Sequence, residues 1–191
     1  DERIAAAARA FGGEVVMTAR DHPNGTSRLA EVARSLDDPI IVNVQGDEPE
    51  IDPRLIDDAV DTLVARPECV VATIATPLRD GEDHRDPNIV KVVLDARGRA
   101  LYFSRAPIPH DRDGVGAAPP LRHVGLYVYR RAFLLEYVTL PVTPLETAER
   151  LEQLRILEHG YAIAVAVRAS SHGGIDTPEQ YDAFVRRVRG D

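Results

Sequence analysis

The sequence predicts an α/β fold with a mainly parallel, mixed sheet, and two patterns carry that prediction. Short runs of β-branched and other apolar residues alternate with segments of helical periodicity, an arrangement typical of βαβ units. The stretch KVVLDARGRALYF, residues 91–103, instead places two strands around a turn at 96–98, which indicates an antiparallel hairpin. We therefore expect a parallel sheet with an antiparallel excursion, in a single domain spanning residues 1–191.

The predicted elements follow one another along the chain with few interruptions. Asp52 and Pro53 open one helix and Pro67 lies just past its end, as is usual for helix boundaries. The stretch 109–121 is expected to form an irregular loop. We expect strands at 14–17, 40–44, 70–76, 89–95, 100–106, 123–131 and 163–168, and helices at 2–13, 26–36, 52–66, 131–138, 144–160 and 177–189.

Composition argues against several classes of protein. The formal net charge is −8 and there is no tract rich in Lys or Arg, which argues against nonspecific binding to nucleic acid. No apolar run approaches the ~18 residues that a membrane helix needs, and no secretory signal pattern opens the chain. The single cysteine, Cys69, excludes an intramolecular disulfide and a CxxC motif. We expect a cytoplasmic protein without a membrane partner.

The clearest chemical signal is VQGDEP, residues 44–49, which follows the apolar run IIVNV. Ligands of open parallel sheets bind at the carboxyl ends of the strands, where Asp47 would present a carboxylate to Mg²⁺. Asp176, in GGIDTPEQ, is a candidate second oxygen ligand, because one carboxylate rarely holds Mg²⁺ firmly. An ordinary polar turn at Asp47 and an ordinary helix opening at Asp176 remain alternatives.

Two further groups of residues indicate ligand binding. The turn in HPNGTSR presents Thr26 and the amino end of a helix, which binds anions and polar edges. The segments RHVGLYVY and LEQLR offer His123, Tyr127, Glu152 and Gln153, side chains that suit a hydroxyl-rich ligand. For both groups the alternative is structural: a capped helix in the first, and packed strand and helix residues in the second.

Six motifs in this order, VQGDEP, HPNGTSR, YFSRAPIPHDR, LRHVGLYVYR, LEQLR and IDTPEQ, resemble those of the 3-deoxy-manno-octulosonate cytidylyltransferases, or CMP-Kdo synthetases. The resemblance extends from the first residue to the last predicted helix. It implies a Rossmann-like nucleotide-diphospho-sugar transferase fold and a homodimer. It also implies a Mg²⁺-dependent transfer of a cytidylyl group from CTP to Kdo (3-deoxy-manno-octulosonate), giving CMP-Kdo and pyrophosphate for lipopolysaccharide synthesis.

The resemblance also assigns roles to matched positions. Metal binding and catalysis fall to Asp47 and Asp176. Contacts with the sugar fall to Gln45, Arg105, Arg112, His123, Tyr127, Glu152 and Gln153, and contacts with the nucleotide to Asn24, Gly25, Thr26, Arg28 and Asp47. His22 matches the family without an assigned contact. The strands carrying FSRA and HVGLYVY are expected at the dimer interface.

Two departures from the family matter. Asn24 stands where the family usually has Ser, which leaves the local contact with the base open. The opening strand and the turn of the form PARxxSxRxPxK, which grips the triphosphate, are not in this sequence. The chain is therefore expected to be N-terminally truncated and to correspond to the C-terminal three-quarters of the family's domain.

Three alternatives stay open at this point. The first is a sibling cytidylyltransferase that acts on 8-amino-Kdo or on sialic acid. The second is a catalytically incompetent module that retains only the sugar half-site and the dimer surface, because the triphosphate-binding turn is missing. The third is an unrelated α/β protein.

Overall fold

The computed structural model describes residues 1–79, 81–169, 174, 175 and 177–190. Its helices are α1 (Glu2–Ala10), α2 (Gly25–Ala33), α3 (Pro53–Val64), α4 (Arg131–Tyr137), α5 (Pro144–Glu149), α6 (Gln153–Glu158) and α7 (Pro178–Arg189). Its strands are β1 (Ile40–Val44), β2 (Cys69–Pro77), β3 (Lys91–Leu94), β4 (Ala100–Ser104), β5 (Leu121–Arg130) and β6 (Ala162–Val167). Within the described ranges, no helix is long and apolar enough to cross a membrane.

The sheet is mixed, and its strand order is β4-β3-β5-β2-β6 with β1 also paired to β5. The predicted excursion is confirmed, because β3 and β4 pair as an antiparallel hairpin. Mainly parallel pairing was wrong: among the described residues, only β2 and β6 pair in parallel. The reason is that the antiparallel strand β5 lies between β1 and β2, which would otherwise be parallel neighbours.

Two strands share one edge of β5, and this arrangement opens a gap in the sheet. β1 pairs with the second half of β5, ending at the pair Val44 and Leu126. β3 pairs with the start of β5, through Lys91 opposite Arg122. Residues 123–125 of β5 therefore lie between the end of β1 and the beginning of β3.

Helices cover both faces of the sheet and bury its apolar side chains. On one face, Leu55, Ala59 and Leu63 of α3 pack with Ile74 and the alternate residues of β5, in a cluster that is almost fully buried. The other face carries a larger cluster, to which α2, α4 and α6 contribute. Alternate β5 side chains enter opposite layers, as the two-residue strand period requires.

The predicted strand at 14–17 is wrong, since the structure has no strand there. Val16 and Met17 are exposed, and none of the described strands pairs with this segment. The chain that follows is instead tied to α2 by side chains. The amide of Ala19 donates to the Glu31 carboxylate at 3.2 Å, and Arg28 Nη1 donates to the Ala19 carbonyl at 2.8 Å.

The predicted helix at 144–160 is also wrong in one respect, because it forms two short helices, α5 and α6. Arg150 lies between them in the left-handed region, at φ 54° and ψ 50°. A non-glycine residue in that region costs of order 1 kcal/mol or more, so the break is held by contacts elsewhere.

A buried ion pair holds that break. Arg155 Nε and Nη2 donate to the two carboxylate oxygens of Glu146 at 2.6 and 2.5 Å, and both side chains are buried. The Arg155 guanidinium also lies 4.7 Å from the centre of the Tyr137 ring. The pair therefore joins α5 to α6 across residues 150–152.

We predict that Glu146→Ala destabilises the protein by about 3 to 5 kcal/mol, because it leaves the Arg155 charge buried without its partner. Urea unfolding measures the change. The exposed pair Asp58 and Arg168, whose closest distance is 2.7 Å, gives the control: Asp58→Ala is expected to cause a much smaller loss. Equal losses in the two variants would contradict the role of the buried pair.

Candidate functional site

The candidate site is a cavity of about 280 Å³ at the gap on the edge of β5. It opens beside a second cavity of about 520 Å³, and the two share four lining residues: Gln45, Val90, His123 and Gly125. Seven of the residues predicted to form the site line the first cavity: Gly25, Thr26, Gln45, His123, Tyr127, Glu152 and Gln153. These residues come from separate parts of the chain, so the fold brings them together.

A bulge in β5 shapes the floor of both cavities. On β2, Thr73 lies opposite Tyr127 but the next residue, Ile74, lies opposite Val124. Gly125 and Leu126 are therefore additional residues on β5. A Cβ at Gly125 would lie 3.3 Å from Gln45 Cγ, so glycine there lets Gln45 approach the strand closely.

His123 lies beside this bulge and is fixed on several sides. Its Nε2 is 2.9 Å from the Thr73 hydroxyl. Phe103 meets the imidazole edge-on at a centroid distance of 5.1 Å, and the Tyr127 ring lies at 5.2 Å. Burial, together with the charge of Arg122, lowers the pKa of His123 from 6.5 to about 3, so the imidazole is neutral at physiological pH.

Glu152 and Gln153 enter the first cavity from the start of α6, as its N-cap and its first residue. The Thr26 hydroxyl donates to Glu152 Oε2 at 2.6 Å, and the Tyr137 hydroxyl donates to the Glu152 carbonyl at 3.1 Å. Gln153 is buried. Burial raises the pKa of the phenols that line this cavity, so they remain neutral hydroxyl groups: Tyr127, Tyr129 and Tyr137. The cavity is thus rich in groups that donate and accept hydrogen bonds.

The second cavity is acidic. Among its described lining residues are five carboxylates and two arginines: Asp47, Glu48, Glu82, Asp83, Asp86, Arg79 and Arg122. Burial acts to raise the pKa of Glu82, but hydrogen bonds from Arg79 and the charge of Arg122 outweigh it and lower the pKa overall. Carboxylate oxygens such as those of this cavity are the ligands that a hard cation such as Mg²⁺ takes.

Of the two predicted metal ligands, only Asp47 lies among the described residues. Asp47 is exposed and lines the acidic cavity. Asp176 lies outside the described residues, but its predecessor Ile175 donates its amide to the Asp47 carbonyl at 2.8 Å. The chain on the amino side of Asp176 therefore passes directly beside Asp47. In the described part of the chain, no three His, Cys, Asp or Glu side chains are grouped as a metal site.

Asn24 and Arg28 lie near the first cavity but do not line it. Asn24 is the N-cap of α2, where its side chain accepts from the Ser27 amide at 2.9 Å. It lines a neighbouring cavity of about 710 Å³ together with Arg150 and Glu152. Arg28 is exposed, and its Nη1 bonds the chain at Ala19 and Thr18.

Arg105 and Arg112 are not brought into either of the two adjoining cavities. Arg105 Nε donates to the Glu149 carbonyl at 2.8 Å, and its Nη1 donates to the Pro87 carbonyl at 2.9 Å. Arg112 is exposed in the irregular stretch between β4 and β5. Their predicted contacts with a sugar stay predictions.

Several residues that contact or line the site were not predicted as site residues. Thr73 is fully buried, and a hydroxyl within the apolar run CVVATIAT was the available signal, since buried polar groups need partners. Arg150 lines the first cavity, but its left-handed backbone has no signal in the sequence, because such positions usually hold glycine. Asn43 also lines this cavity, one residue before the end of β1.

Comparison with known proteins gives consistent matches. A family model described as cytidylyltransferase matches residues 1–163. The 3-deoxy-manno-octulosonate cytidylyltransferase of Syntrophotalea carbinolica is 52% identical over 198 residues, covering 100% of this chain and 79% of that protein. The enzyme of the same name from Solibacter usitatus is 53% identical over 186 residues, covering 97% of this chain and 74% of that protein.

Solved structures agree with these sequence matches. A structure named as CMP:2-keto-3-deoxy-manno-octonic acid synthetase complexed with CTP matches with a TM-score of 0.91 and 41% identity, covering 100% of this chain and 78% of that chain. A candidate glucose-1-phosphate thymidylyltransferase from Bacillus anthracis matches with a TM-score of 0.65 at 12% identity, covering 100% of this chain and 72% of that one, and shows the fold alone. The predicted α/β nucleotide-diphospho-sugar transferase fold is therefore confirmed, apart from the mainly parallel pairing of its sheet.

The neutral, half-buried His123 predicts a pH dependence of stability. With a folded pKa of about 3 and an ordinary value of 6.5, the unfolded chain binds a proton between these pH values that the folded protein does not. The free energy of unfolding therefore falls as pH drops below about 6.5, by at most about 1.4 kcal/mol per pH unit from this group.

Urea unfolding at pH 7, 6 and 5 measures this slope. We expect the slope to become smaller in His123→Asn and to stay unchanged in the control His110→Asn, which alters an exposed loop residue. A slope that His123→Asn leaves unchanged would contradict a buried neutral imidazole.

Proposed function

Because the chain belongs to the 3-deoxy-manno-octulosonate cytidylyltransferase family, we propose that it transfers a cytidylyl group from CTP to Kdo. The anomeric hydroxyl of the sugar acid attacks the α-phosphorus, and pyrophosphate leaves. The observation that carries the proposal is the gap on the edge of β5, where a hydroxyl-binding cavity adjoins an acidic one. In such a transfer, positioning of the two reactants and compensation of charge supply most of the catalysis.

The first cavity suits the sugar. A polyhydroxylated ligand needs groups that both donate and accept, and the side chains of Gln45, His123, Tyr127 and Gln153 provide them from different directions. Glu152 adds a carboxylate whose Oε2 already accepts from Thr26, so its other oxygen is available to a sugar hydroxyl. Gln153 is buried and His123, Tyr127 and Glu152 are half-buried, so leaving their polar groups unpaired is costly, which favours a ligand with hydroxyls at matching positions.

The nucleotide is proposed to lie at the amino end of α2. Gly25 and Thr26 form the first turn of this helix and line the first cavity, where backbone amides and the helix dipole favour polar and anionic groups. Asn24 holds that end as the N-cap. Its Oδ1 already accepts from the Ser27 amide, so a base contact by this side chain would come from Nδ2, which donates.

Asp47 and Asp176 are proposed to hold Mg²⁺. The exposed carboxylate of Asp47 and the acidic lining around it fit a hard cation, and the bond from Ile175 to Asp47 ties the two segments together. When bound, the ion would polarise phosphate and sugar oxygens. The remaining carboxylates of the cavity would keep anionic groups of the substrates away from its walls unless a cation is present.

Recognition of the sugar carboxylate is proposed for Arg105 and Arg112. Carboxylates pair best with an arginine fork. Nε and Nη1 of Arg105 already donate to backbone carbonyls, so Arg105 is proposed to offer the ligand one nitrogen, Nη2, and not the full fork. Arg112 would approach from the irregular stretch between β4 and β5.

Cytoplasmic location, a role in lipopolysaccharide synthesis and a homodimer complete the proposal. β4, the strand of FSRA, ends the main strand path of the sheet and exposes Leu101 to 61%, so its edge is open to a second copy. Both edges of β5 are paired within the chain. A contribution of β5 to a dimer would therefore come from a face of the strand.

We predict that the full product of the gene converts CTP and Kdo to CMP-Kdo with Mg²⁺ present. Phosphorus NMR detects the product and a coupled assay detects pyrophosphate. With 8-amino-Kdo or sialic acid in place of Kdo, we expect lower kcat/KM. A preference for either analogue would move the assignment to a sibling cytidylyltransferase, and absence of both turnover and CTP binding would indicate a non-catalytic module.

We predict that Asp47→Asn lowers kcat by about two orders of magnitude or more with little change in the unfolding midpoint, since it removes a metal-binding charge at an exposed position. Asp61→Asn makes the same change of charge on the exposed side of α3 and is the matched control. Pyrophosphate release across a Mg²⁺ titration separates the two variants. Turnover retained by Asp47→Asn would defeat the metal assignment.

A further inference from the structure

The Thr73 hydroxyl lies at the centre of the β5 bulge and meets three partners. Thr73 belongs to β2 and is fully buried. Its Oγ1 lies 2.6 Å from the Leu126 carbonyl, 3.4 Å from the Val124 carbonyl and 2.9 Å from His123 Nε2. The bulge turns these groups of β5 toward β2, so one side chain serves both the strand and the imidazole.

The hydrogen bonds of Thr73 determine which ring nitrogen of His123 carries a hydrogen. A hydroxyl has one proton, and a carbonyl oxygen only accepts. The 2.6 Å bond to Leu126 therefore uses the proton of Thr73. The Thr73 oxygen is then an acceptor toward His123, so Nε2 of the imidazole must carry a hydrogen.

The remaining nitrogen of His123 is consequently an acceptor. The imidazole is neutral, because burial depresses its pKa, so a hydrogen on Nε2 leaves a lone pair on Nδ1. Phe103 and Tyr127 hold the plane of the ring. No hydrogen bond joins Nδ1 to another group in the described ranges, while His123 lines both adjoining cavities.

We infer that Thr73 is a positioning residue: it fixes His123 as the Nε2–H tautomer, so that Nδ1 accepts a hydrogen bond from a hydroxyl of the ligand. A neutral acceptor of this kind repels a carboxylate. An ether oxygen has no hydrogen to donate to it. His123 therefore selects a hydroxyl of the sugar acid and does not bind its carboxyl group. That the ligand is a sugar acid rests on the proposed function; the tautomer does not.

Nitrogen-15 NMR of the full gene product with labelled histidine tests the tautomer without substrate. The chain has six histidines, and the signals that disappear in His123→Asn belong to His123. We expect a protonated-type Nε2 and an unprotonated-type Nδ1. In Thr73→Val, which keeps the shape but removes the hydroxyl, we expect this pattern to change toward a mixture of tautomers, and in Thr73→Ser to remain.

Steady-state kinetics tests the consequence for the ligand. We expect Thr73→Val to raise KM for Kdo about 10-fold, because the ligand's partner is no longer fixed, with KM for CTP changed less than about twofold. Thr73→Ser restores the value. Thr76→Val is the matched control, since Thr76 is a buried threonine of the same strand whose hydroxyl bonds to Pro77.

The outcomes of these experiments test the role of Thr73 independently of the proposed function. A protonated Nδ1 in the unmodified protein, or a tautomer that Thr73→Val leaves unchanged, overturns it. If Thr73→Val raises KM for Kdo and KM for CTP equally, or if Thr76→Val raises KM for Kdo as much as Thr73→Val does, Thr73 does not act on the ligand through His123. Absence of cytidylyl transfer in the unmodified protein, with the expected tautomer present, rejects the proposed function and leaves the Thr73 assignment standing.

Discussion

The constraint on which the site depends is that β1 and β3 pair with the same edge of β5. Two strands cannot occupy the same stretch of an edge, so β1 stops at Val44 and β3 begins at Lys91. Residues 123–125 between them have no strand on that side, and the backbone amide of His123 is satisfied by the Val90 carbonyl at 2.8 Å. This pairing creates a ligand pocket, because strands flank the gap on both sides but no strand fills it.

Two irregularities then point side chains into the gap, and each is stabilised by a buried polar group. The bulge in β5 brings two carbonyls toward β2, where the Thr73 hydroxyl satisfies the nearer one. The break between α5 and α6 places Arg150 in a left-handed conformation, which the ion pair of Glu146 and Arg155 supports. Without such partners, both irregularities would leave unpaired groups or strained backbone in the interior.

Sequence reasoning predicts the parts of this structure that are periodic or carry chemical groups. The hairpin at 91–103 and the helix after Asp52 have local signals. The gathering of Gln45, His123, Glu152 and Gln153 in one site was predicted from the resemblance of the six motifs to the family. The strand predicted at 14–17 fails because a short apolar run forms a strand only where an edge is available to pair with it. The mainly antiparallel pairing and the conformation of Arg150 depend on tertiary contacts between residues far apart in the sequence. One such contact is the insertion of β5 between β1 and β2.

The electrostatic division of the site follows from the same geometry. The shared floor of Gln45, His123 and Gly125 separates two cavities. The first is lined mainly by neutral hydrogen-bonding groups, with Glu152 and Arg150 as its charged residues, and the second is lined by five carboxylates and two arginines. A protonated imidazole at this boundary would attract the carboxylates of the acidic side and weaken the distinction. Burial against Phe103 and Tyr127 keeps His123 neutral, and Thr73 determines which nitrogen is left to accept. The packing of β2 against β5 thus sets the chemistry at the boundary between the two cavities, through a residue that lines neither of them.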